Sequence, residues 1–356
     1  MALLNKSKKV AVALSGGVDS SVACALLKQQ GYEVVGFHMR LWKAKGRSAL
    51  PQNVKQIGKV LGIKTFVFDF QKEFKDCVVD YFVDSYRKGI TPNPCVVCNA
   101  KIKFGLLMEK ARELGCDFLA TGHYARTENG RLLKAKFEQK DQTYFLWQLK
   151  QSQLKRVIFP LGGIVSKQKV REMAKEFGLP TFATPESNDV CFLQDINIQD
   201  FLKKNCPGVR PRGAGEIVDT KGQVLGEHQG LWFYTIGQRK GINIPAEKGR
   251  SALPYFVVAK DIKKNVLIIS QDENDLLSRE LIAQKVNWLS GGEPANFHNF
   301  QAKIRYGAKP AKIKAMQKIS LNKYKIIFAQ PQRAITPGQS VVWYQGDELL
   351  GGGVIS

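Results

Sequence analysis

The chain has 356 residues, 44% of them hydrophobic, and its 54 lysines and arginines outnumber 31 aspartates and glutamates, giving a net charge of +23. This length supplies two or three folded domains. No apolar run approaches the roughly 20 residues of a membrane span, and the N-terminal stretch lacks the apolar core of a signal peptide. We therefore expect a cytoplasmic protein with no membrane partner.

The positive charge exceeds what an enzyme of small neutral substrates needs. Each phosphate that lysine or arginine neutralises releases counterions, so such a balance favours a nucleic acid partner. Scattered surface lysines are the alternative. Because the sequence has no arginine-rich tail, we assign the charge to folded surfaces.

Residues 9–124 alternate between strand-like and helix-like segments. We predict strands at 9–14, 33–39, 65–70 and 117–121, and helices at 19–30, 51–61, 72–88 and 100–114. Strands separated by helices form a parallel sheet with right-handed crossovers, and ligands bind at the carboxyl ends of such strands. Ser15-Gly16-Gly17, Met39 and Gly122-His123 fall at those ends.

A glycine turn joins the first strand to the first helix, in Ser-Gly-Gly-Val-Asp-Ser-Ser at 15–21. A strand, a glycine turn and a helix start present backbone N–H groups to phosphate. The segment is neither a Walker loop nor a Gly-x-Gly-x-x-Gly loop. An ordinary glycine turn is the alternative. The segment resembles the pyrophosphate loop of the ATP-pyrophosphatase superfamily, whose members cleave ATP between the α- and β-phosphates and transfer AMP to a substrate oxygen.

Three of the seven cysteines, Cys95, Cys98 and Cys191, lie in polar segments. An odd number of cysteines in a chain of this kind argues against a disulfide framework. The prolines of Thr-Pro-Asn-Pro at 91–94 are expected to hold a rigid non-helical loop before a helix that starts near Asn99. A thiol near a helix N-terminus has a lowered pKa. Half a zinc site is the alternative, although no second pair of ligands follows.

The remainder of the chain divides into a helix and two β-rich regions. Apolar spacing predicts a helix at 163–178. Its basic residues form a solvated face or a contact with the nucleic acid partner. A hairpin about Lys221-Gly222 marks a small β-rich domain at 207–275. Strand-like runs at 282–288, 300–306, 311–317, 323–329 and 340–345 predict an antiparallel barrel at 276–356.

Several motifs occur in one order along the chain. They are Ser-Gly-Gly-Val-Asp-Ser-Ser, Asn-Pro-x-x-x-Cys-Asn-x-x-Ile-Lys-Phe, Ala-Thr-Gly-His-Tyr, Lys-Asp-Gln-Thr-Tyr-Phe-Leu, a later Cys-Phe, Gly-Glu-His-Gln-Gly, Thr-Ile-Gly-Gln-Arg-Lys-Gly and Thr-Pro-Gly-Gln-Ser. From about residue 9 to residue 353 the chain resembles the bacterial-type tRNA-specific 2-thiouridylase family.

The resemblance implies an α/β fold in three domains. They are a parallel-sheet, adenine nucleotide hydrolase-like ATP-pyrophosphatase domain at 1–206, a central tRNA-binding domain at 207–275 and a C-terminal β-barrel at 276–356. The implied reaction is ATP-dependent 2-thiolation of the wobble uridine of tRNA, position 34. AMP is placed on the C2 oxygen with Mg²⁺ near Asp19, and sulfur from a persulfide or sulfide donor protein then replaces that oxygen.

The resemblance also implies roles for individual residues. Cys191 carries the persulfide and Cys98 is its disulfide partner. The ATP-binding residues are Ala13, Leu14, Ser15, Gly16, Gly17, Val18, Asp19, Ser20, Met39 and Gly122. The target base lies against Asn93, Pro94 and Cys95. The tRNA contacts are His123, Lys140, Asp141, Gln142, Arg305, Tyr306 and Gln339.

Cys95 departs from the family pattern, because much of the family carries an aspartate at this position. Cys95, Cys98 and Cys191 make a set of three thiolates that can hold a [4Fe-4S] cluster with one open iron for sulfide. A tolerated substitution beside an unchanged two-cysteine mechanism is the other interpretation. The segment 43–53 is a second departure, since it is basic here and often acidic in relatives.

Two other function classes remain at this stage. A small-molecule amidating synthetase accounts for the glycine loop but not for the charge, the cysteines or the β-rich C-terminal region. A non-catalytic RNA-binding protein with a relic nucleotide site accounts for the charge but not for the intact loop and paired cysteines.

Overall fold

The computed structural model describes residues 8–42, 51–184, 190–193, 196–205, 213–242, 244 and 253–356. Most of the basic segment 43–53 and the predicted domain boundary at 206/207 therefore lie outside the described residues. The N-terminal strands are β1 Lys9–Ala13, β2 Glu33–Arg40, β3 Lys64–Asp69, β4 Phe118–Ala120, β5 Arg126–Glu128, β6 Arg131–Leu133 and β7 Val157–Ile158.

Five of these strands form a fully parallel sheet in the order β3-β2-β1-β4-β7. This confirms the predicted parallel α/β fold. The chain moves outward from β1 to β3 and then returns to the other side of β1 with β4. Ligands bind where the strand order reverses in this way. The turns that follow β1 and β4 lie at that point.

Helices cover both faces of the sheet. They are α1 Val18–Gln29, α2 Gln52–Leu61, α3 Gln71–Phe74, α4 Asp80–Arg87, α5 Pro94–Val97, α6 Leu107–Glu113, α7 Gln151–Leu154, α8 Lys167–Glu176 and α9 Ile198–Asn205. A π-helical segment, Lys75–Val79, joins α3 to α4, and another, Cys98–Leu106, joins α5 to α6. Within the described residues, no helix is long and apolar enough to cross a membrane.

The helix that carries Cys95 and Cys98 begins earlier than the sequence predicts. We expected the two prolines to exclude helix before Asn99, and that expectation is wrong. Helix α5 begins at Pro94, which occupies its first turn. A proline there loses nothing, because the first N–H groups of a helix have no intrahelical partner and its fixed φ suits the helix. Both thiols therefore lie on the first turns of one helix.

The central region is a small sheet of β8 Gly215–Val218, β9 Val224–His228, β10 Phe256–Asp261 and β11 Val266–Ser270, in the order β10-β11-β8-β9. Strands β8 and β9 pair antiparallel around Asp219–Gln223. The predicted hairpin about Lys221-Gly222 is confirmed.

The C-terminal region is a closed barrel. Its strands are β12 Leu277–Trp288, β13 Gln301–Lys303, β14 Ala311–Ser320, β15 Lys323–Arg333, β16 Ser340–Gln345 and β17 Glu348–Ile355. Pairing of β12 with both β15 and β17 closes the ring. The hairpin β5–β6 of the N-terminal region extends the sheet, because Leu132 and Leu133 pair with β17. Sequence patterns did not predict this extension or β17.

Buried polar contacts fix the barrel against the ATP domain. The Trp147 indole N–H donates to Ser340 Oγ at 2.9 Å, and the Tyr144 hydroxyl donates to the Ser340 carbonyl at 2.9 Å. Asn287 donates to the carbonyl groups of Trp147 and Leu149 at 2.7 and 3.0 Å. These three donors are satisfied across the boundary, so the two regions hold one another in register.

Candidate active site

A cavity of about 840 Å³ opens at the carboxyl ends of β1, β2 and β4. Ala13, Leu14, Ser15, Asp19 and Ser20 line one end of it. Cys95, Cys98, Lys103, Cys191 and Phe192 line the other. The glycine loop and the three polar-segment cysteines, which are distant in sequence, therefore open on one space.

The glycine loop is held by its own hydroxyl groups. The Ser15 N–H donates to Ser20 Oγ at 3.2 Å, and Ser20 Oγ donates to the Gly17 carbonyl at 3.1 Å. Gly16 has φ +87°, a left-handed conformation that favours glycine. Gly17 caps α1 without a side-chain acceptor. The first N–H groups of α1 are thus available to an anion at the positive end of the helix dipole.

Gly122 allows the turn after β4 to approach the start of α1. A Cβ atom at Gly122 would lie 2.8 Å from both the Asp19 carbonyl carbon and the Ser20 nitrogen. Only glycine permits this distance without displacement of backbone. The residue predicted to bind ATP therefore sets the width of the loop end of the cavity.

Asp19 accepts hydrogen bonds from a lysine and a tyrosine. The Lys167 ammonium donates to both carboxylate oxygens at 2.8 Å, and the Tyr124 hydroxyl donates to Oδ1 at 2.8 Å. Lys167 begins α8, where Ser166 accepts from the Lys169 N–H at 3.1 Å. We expected the basic residues of this helix on a solvated face or in contact with tRNA. For Lys167 the solvated face is wrong, because its side chain is only 15% exposed and contacts Asp19.

Two other basic residues of α8 contact the segment that follows the helix, although Lys175 is exposed, as predicted for a solvated face. Arg171 donates to the carbonyl groups of Phe182 and Thr184 at 2.8 and 3.3 Å. The Lys175 ammonium lies 5.6 Å from the centre of the Phe182 ring. These contacts hold Phe182 and Thr184 against α8.

The three thiols differ in exposure. Cys98 is buried, Cys95 is half-buried and Cys191 is exposed. Burial raises the pKa of Cys98 to about 12, and the Lys103 ammonium offsets part of that effect. Loss of surrounding water likewise raises the pKa of Cys95 and, although part of its side chain is exposed, that of Cys191, again opposed by Lys103. The prediction of a lowered thiol pKa at the helix start is wrong. Loss of water around the thiol raises its pKa by more than the helix N-terminus lowers it.

Lys103 and His123 form the polar wall beside the thiols. Burial and the Lys103 charge hold the pKa of His123 well below its usual range, so the ring is neutral. Lys103 is 3.5 Å from Nε2 of His123 and can only donate. The Nδ1 proton then points to Thr121 Oγ1 at 2.7 Å. His123 is thus oriented at the cavity floor.

The three thiols do not fit an iron–sulfur cluster as they are placed. Among the residues that the structure describes, no three histidine, cysteine, aspartate or glutamate side chains form a group that could hold a metal ion. The different depths of Cys98 and Cys191 agree with that finding.

The residues predicted to contact tRNA fall into two groups. Asp141 is buried and accepts from Thr143 Oγ1 at 2.8 Å, and Lys303 lies 3.7 Å from it, so its carboxylate faces the interior. Gln142 lines the cavity and accepts from the Tyr124 N–H at 3.0 Å. Lys140 ends a short 3₁₀ turn. Asp141 thus shapes the loop that presents its two neighbours.

The second group lies on the barrel. Arg305 donates to the carbonyl groups of Arg333 and Ala334. Tyr306 is 37% exposed, with its ring centre 4.6 Å from that of Phe145. These two residues thus combine an anchored guanidinium with an exposed ring.

Gln339 of the barrel donates to the carbonyl groups of Thr91 and Pro92, both at 3.1 Å. The Thr91 N–H donates to the Pro337 carbonyl at 3.1 Å, and the Thr91 hydroxyl is 3.1 Å from that of Thr235 in the central region. Residues 90–92, which we call the junction segment, therefore receive contacts from both β-rich regions. Helix α5 starts two residues later.

The remaining predicted residues lie near the thiols or the loop. Pro94 and Met39 line the cavity. Asn93 is buried, and its side chain is hydrogen-bonded to the Tyr144 hydroxyl. Asn93 thus supports the helix start.

Sequence reasoning missed Lys103 and Lys167 as site residues. Lys103 belongs to the Asn-x-x-Ile-Lys-Phe motif, five residues after Cys98, so its position was a usable signal. Lys167 meets Asp19 from 148 residues away. Only the packing of α8 on α1 brings those two together.

Family models match three consecutive parts of the chain. They are the tRNA methyl transferase HUP domain at residues 8–195, the tRNA methyl transferase PRC-barrel domain at 199–271 and the aminomethyltransferase beta-barrel domain at 278–355.

Relatives match over almost the whole length. The tRNA-specific 2-thiouridylase MnmA of Clostridioides difficile (strain 630) is 43% identical over 364 residues, covering 98% of each chain. That of Carboxydothermus hydrogenoformans is 43% identical over 366 residues, covering 98% of this chain and 97% of the relative. Among solved structures, the U34-tRNA thiolase NcsA from Methanococcus maripaludis with its [4Fe-4S] cluster is 24% identical, covering 58% of this chain and 69% of that one, with a TM-score of 0.37. Similarity of that size says nothing about the ligands of this chain.

Proposed function

The chain belongs to the tRNA-specific 2-thiouridylase family, and we propose that it catalyses the ATP-dependent 2-thiolation of the wobble uridine, position 34, of tRNA. One observation carries the proposal: the glycine loop and three thiols open on the same cavity. A base held there meets both ATP and sulfur without leaving the site. The charge of +23 suits a polyanionic substrate.

The loop end activates the base. The N–H groups at the start of α1 hold the departing pyrophosphate while AMP passes to the C2 oxygen of the uracil, which converts a poor leaving group into a good one. The Asp19 carboxylate would hold a Mg²⁺ ion that neutralises phosphate charge. A carboxylate has about four acceptor sites, so its contacts with Tyr124 and Lys167 leave room for a metal.

The cysteine end transfers sulfur. A donor protein leaves a persulfide on Cys191, the most exposed of the three thiols. Its terminal sulfur attacks C2, and the C2–O bond breaks as AMP leaves. The Cys98 thiolate then attacks Cys191 Sγ, which breaks the S–S bond, releases 2-thiouridine and forms a Cys98–Cys191 disulfide. A thiol reductant completes the cycle.

The β-rich regions and the loop around Lys140 and Gln142 bind the tRNA and bring the target base to the cavity. The target base must leave its stack to reach C2. We assign its contacts to Asn93, Pro94 and Cys95. The exposed Tyr306 ring offers a stacking surface, and Arg305 and Gln339 hold the barrel segments behind it. Domain limits of 1–206, 207–275 and 276–356 remain part of this proposal.

The test supplies the purified protein with ATP, a small-molecule persulfide and a tRNA transcript that has uridine at position 34. We expect 2-thiouridine at that position, together with AMP and pyrophosphate. Cys191→Ser should abolish 2-thiouridine while tRNA affinity persists. Cys77→Ser, a half-buried cysteine of the π-helical segment before α4, is the matched control and should retain activity.

Other outcomes separate the alternatives. Pyrophosphate release with ammonia and no RNA would indicate a small-molecule synthetase. Equal loss of binding and thiolation in Cys191→Ser would remove the chemical role of Cys191. Iron and acid-labile sulfide in protein purified without oxygen, both lost in Cys95→Asp, would favour the three-thiol cluster over the persulfide route.

A further inference from the structure

We propose that Cys95 is a second resolving cysteine, which takes over the disulfide from Cys98 and so frees Cys191 for another sulfur. This proposal rests on the proposed thiolation function and adds a step that follows it. Besides the base contact assigned to it above, Cys95 offers a thiol at the wall of the same cavity.

The placement of the three thiols supports the exchange. Cys95 and Cys98 lie one turn apart at the start of one helix, where side chains at i and i+3 are neighbours with Cβ atoms about 5–6 Å apart. A disulfide needs a Cβ separation of about 3.5–4.5 Å. The first turn can make that adjustment, because its N–H groups lack intrahelical partners. All three thiols line one cavity.

The Lys103 ammonium acts on all three thiols of the proposed disulfide exchange, which we call the relay. Lys103 lines the same cavity, and its charge favours the thiolate of Cys95, Cys98 and Cys191 alike. A thiolate is the attacking form in thiol–disulfide exchange. The relay therefore needs no residue beyond those already at the cysteine end.

The relay exchanges one disulfide for another. The Cys95 thiolate attacks Cys98 Sγ of the Cys98–Cys191 disulfide. The Cys95–Cys98 S–S bond forms, the Cys98–Cys191 bond breaks and Cys191 leaves as a thiolate, so no net oxidation occurs. An external dithiol then reduces Cys95–Cys98, becoming a disulfide itself. Cys95 is the more accessible sulfur of that pair, since Cys98 is buried and Cys95 is half-buried.

The experiment maps disulfides after one round of sulfur transfer. Protein preloaded with a small-molecule persulfide receives ATP and tRNA transcript without reductant, is quenched with an alkylating agent and is analysed by non-reducing peptide mass spectrometry. Disulfides are counted per 2-thiouridine formed. We expect mainly Cys95–Cys98 with alkylated Cys191 in the wild type, and complete loss of that peptide in favour of Cys98–Cys191 in Cys95→Asp and Cys95→Ala.

A kinetic arm adds a second readout. With limiting dithiol, turnover relative to the first round should fall several-fold in both Cys95 variants and should recover at saturating dithiol. Cys77→Ala should behave as wild type.

The outcomes are distinct. Thiolation by the wild type that ends in Cys98–Cys191 would overturn the relay and leave the proposed function intact. Absence of thiolation in the wild type would overturn the proposed function itself. Dependence of thiolation on bound iron would overturn the relay, because the thiols would then be ligands. Retention of the Cys95–Cys98 peptide after thiolation would support it.

Discussion

The two ends of the cavity differ in how their charged side chains are paired. At the loop end, Asp19, Lys167 and Tyr124 satisfy one another at 2.8 Å. At the cysteine end, Lys103 faces three neutral thiols and a neutral imidazole. The loop end is thus organised before ATP arrives, whereas the cysteine end keeps a positive charge for an anion that forms during the reaction. Activation and sulfur transfer should therefore fail separately.

The sharpest test of this contrast is the reactivity of Cys98. With a pKa of about 12, the thiol ionises some three units above an ordinary cysteine, so its alkylation at pH 7.5 should be about a thousandfold slower than that of a free thiol. The rate should rise with pH up to about 12. Iodoacetamide labelling followed by peptide mass spectrometry measures it. Labelling of Cys98 as fast as a model thiol would show that burial does not raise its pKa.

The next largest effect is expected from removal of the Lys103 charge. Lys103→Met should lower thiolation on the order of a hundredfold, as expected when a charge that stabilises a developing anion is lost. AMP formation on tRNA should persist, because that chemistry belongs to the loop end. Lys103→Arg, which keeps the charge, should recover part of the rate. An equal loss of AMP formation in Lys103→Met would mean that the two ends are not independent.

The converse variant is Lys167→Met, for which we expect adenylation to fall about tenfold through loss of charge beside Asp19. Alkylation of the three thiols should not change. The control is Lys169→Met on the same helix, where the exposed ammonium lies 3.7 Å from Glu172. If thiol reactivity shifts in Lys167→Met, the contrast between the two ends is wrong.

A smaller effect should arise from the junction segment. Gly338 has φ +92°, and a Cβ there would lie 2.1 Å from Ile90 Cγ2 and 2.7 Å from the Thr91 carbonyl oxygen. Gly338→Ala should lower Tm and, by shifting the start of α5, reduce thiolation several-fold with adenylation retained. The control Gly291→Ala shares the left-handed φ of +88° but has nothing within 4 Å. It should show only the backbone strain, about 1–2 kcal/mol. Equal effects of the two substitutions would show that contacts with the junction segment do not position α5.

Local patterns predicted the ATP domain because its signals are local. Each strand near the loop is a short apolar run with a clear end, and the first such run is 9–14, observed at Lys9–Ala13. Glycine loops and hairpin turns are also specified within a few residues, as at Gly16 and around Gly222.

The features that sequence reasoning missed depend on distant neighbours. Burial by surrounding helices, not the helix terminus, sets the pKa of Cys98. Lys167 reaches Asp19 only through the packing of two helices. The proline at 94 was compatible with both a loop and a helix start, and the surrounding structure selects the helix.

The hairpin β5–β6 also bears on how the chain is made. Its partner β17 is synthesised roughly 200 residues later, which at about 5–20 residues per second means on the order of 10–40 s on the ribosome. During that interval β5 pairs with one edge of Arg131–Leu133, but the edge that β17 later covers has no partner, and unpaired edges invite incorrect pairing. A stop codon shortly before Glu348 would remove the strand that both closes the barrel and covers this edge. Such truncated chains should accumulate as aggregates rather than as a separate, active ATP domain.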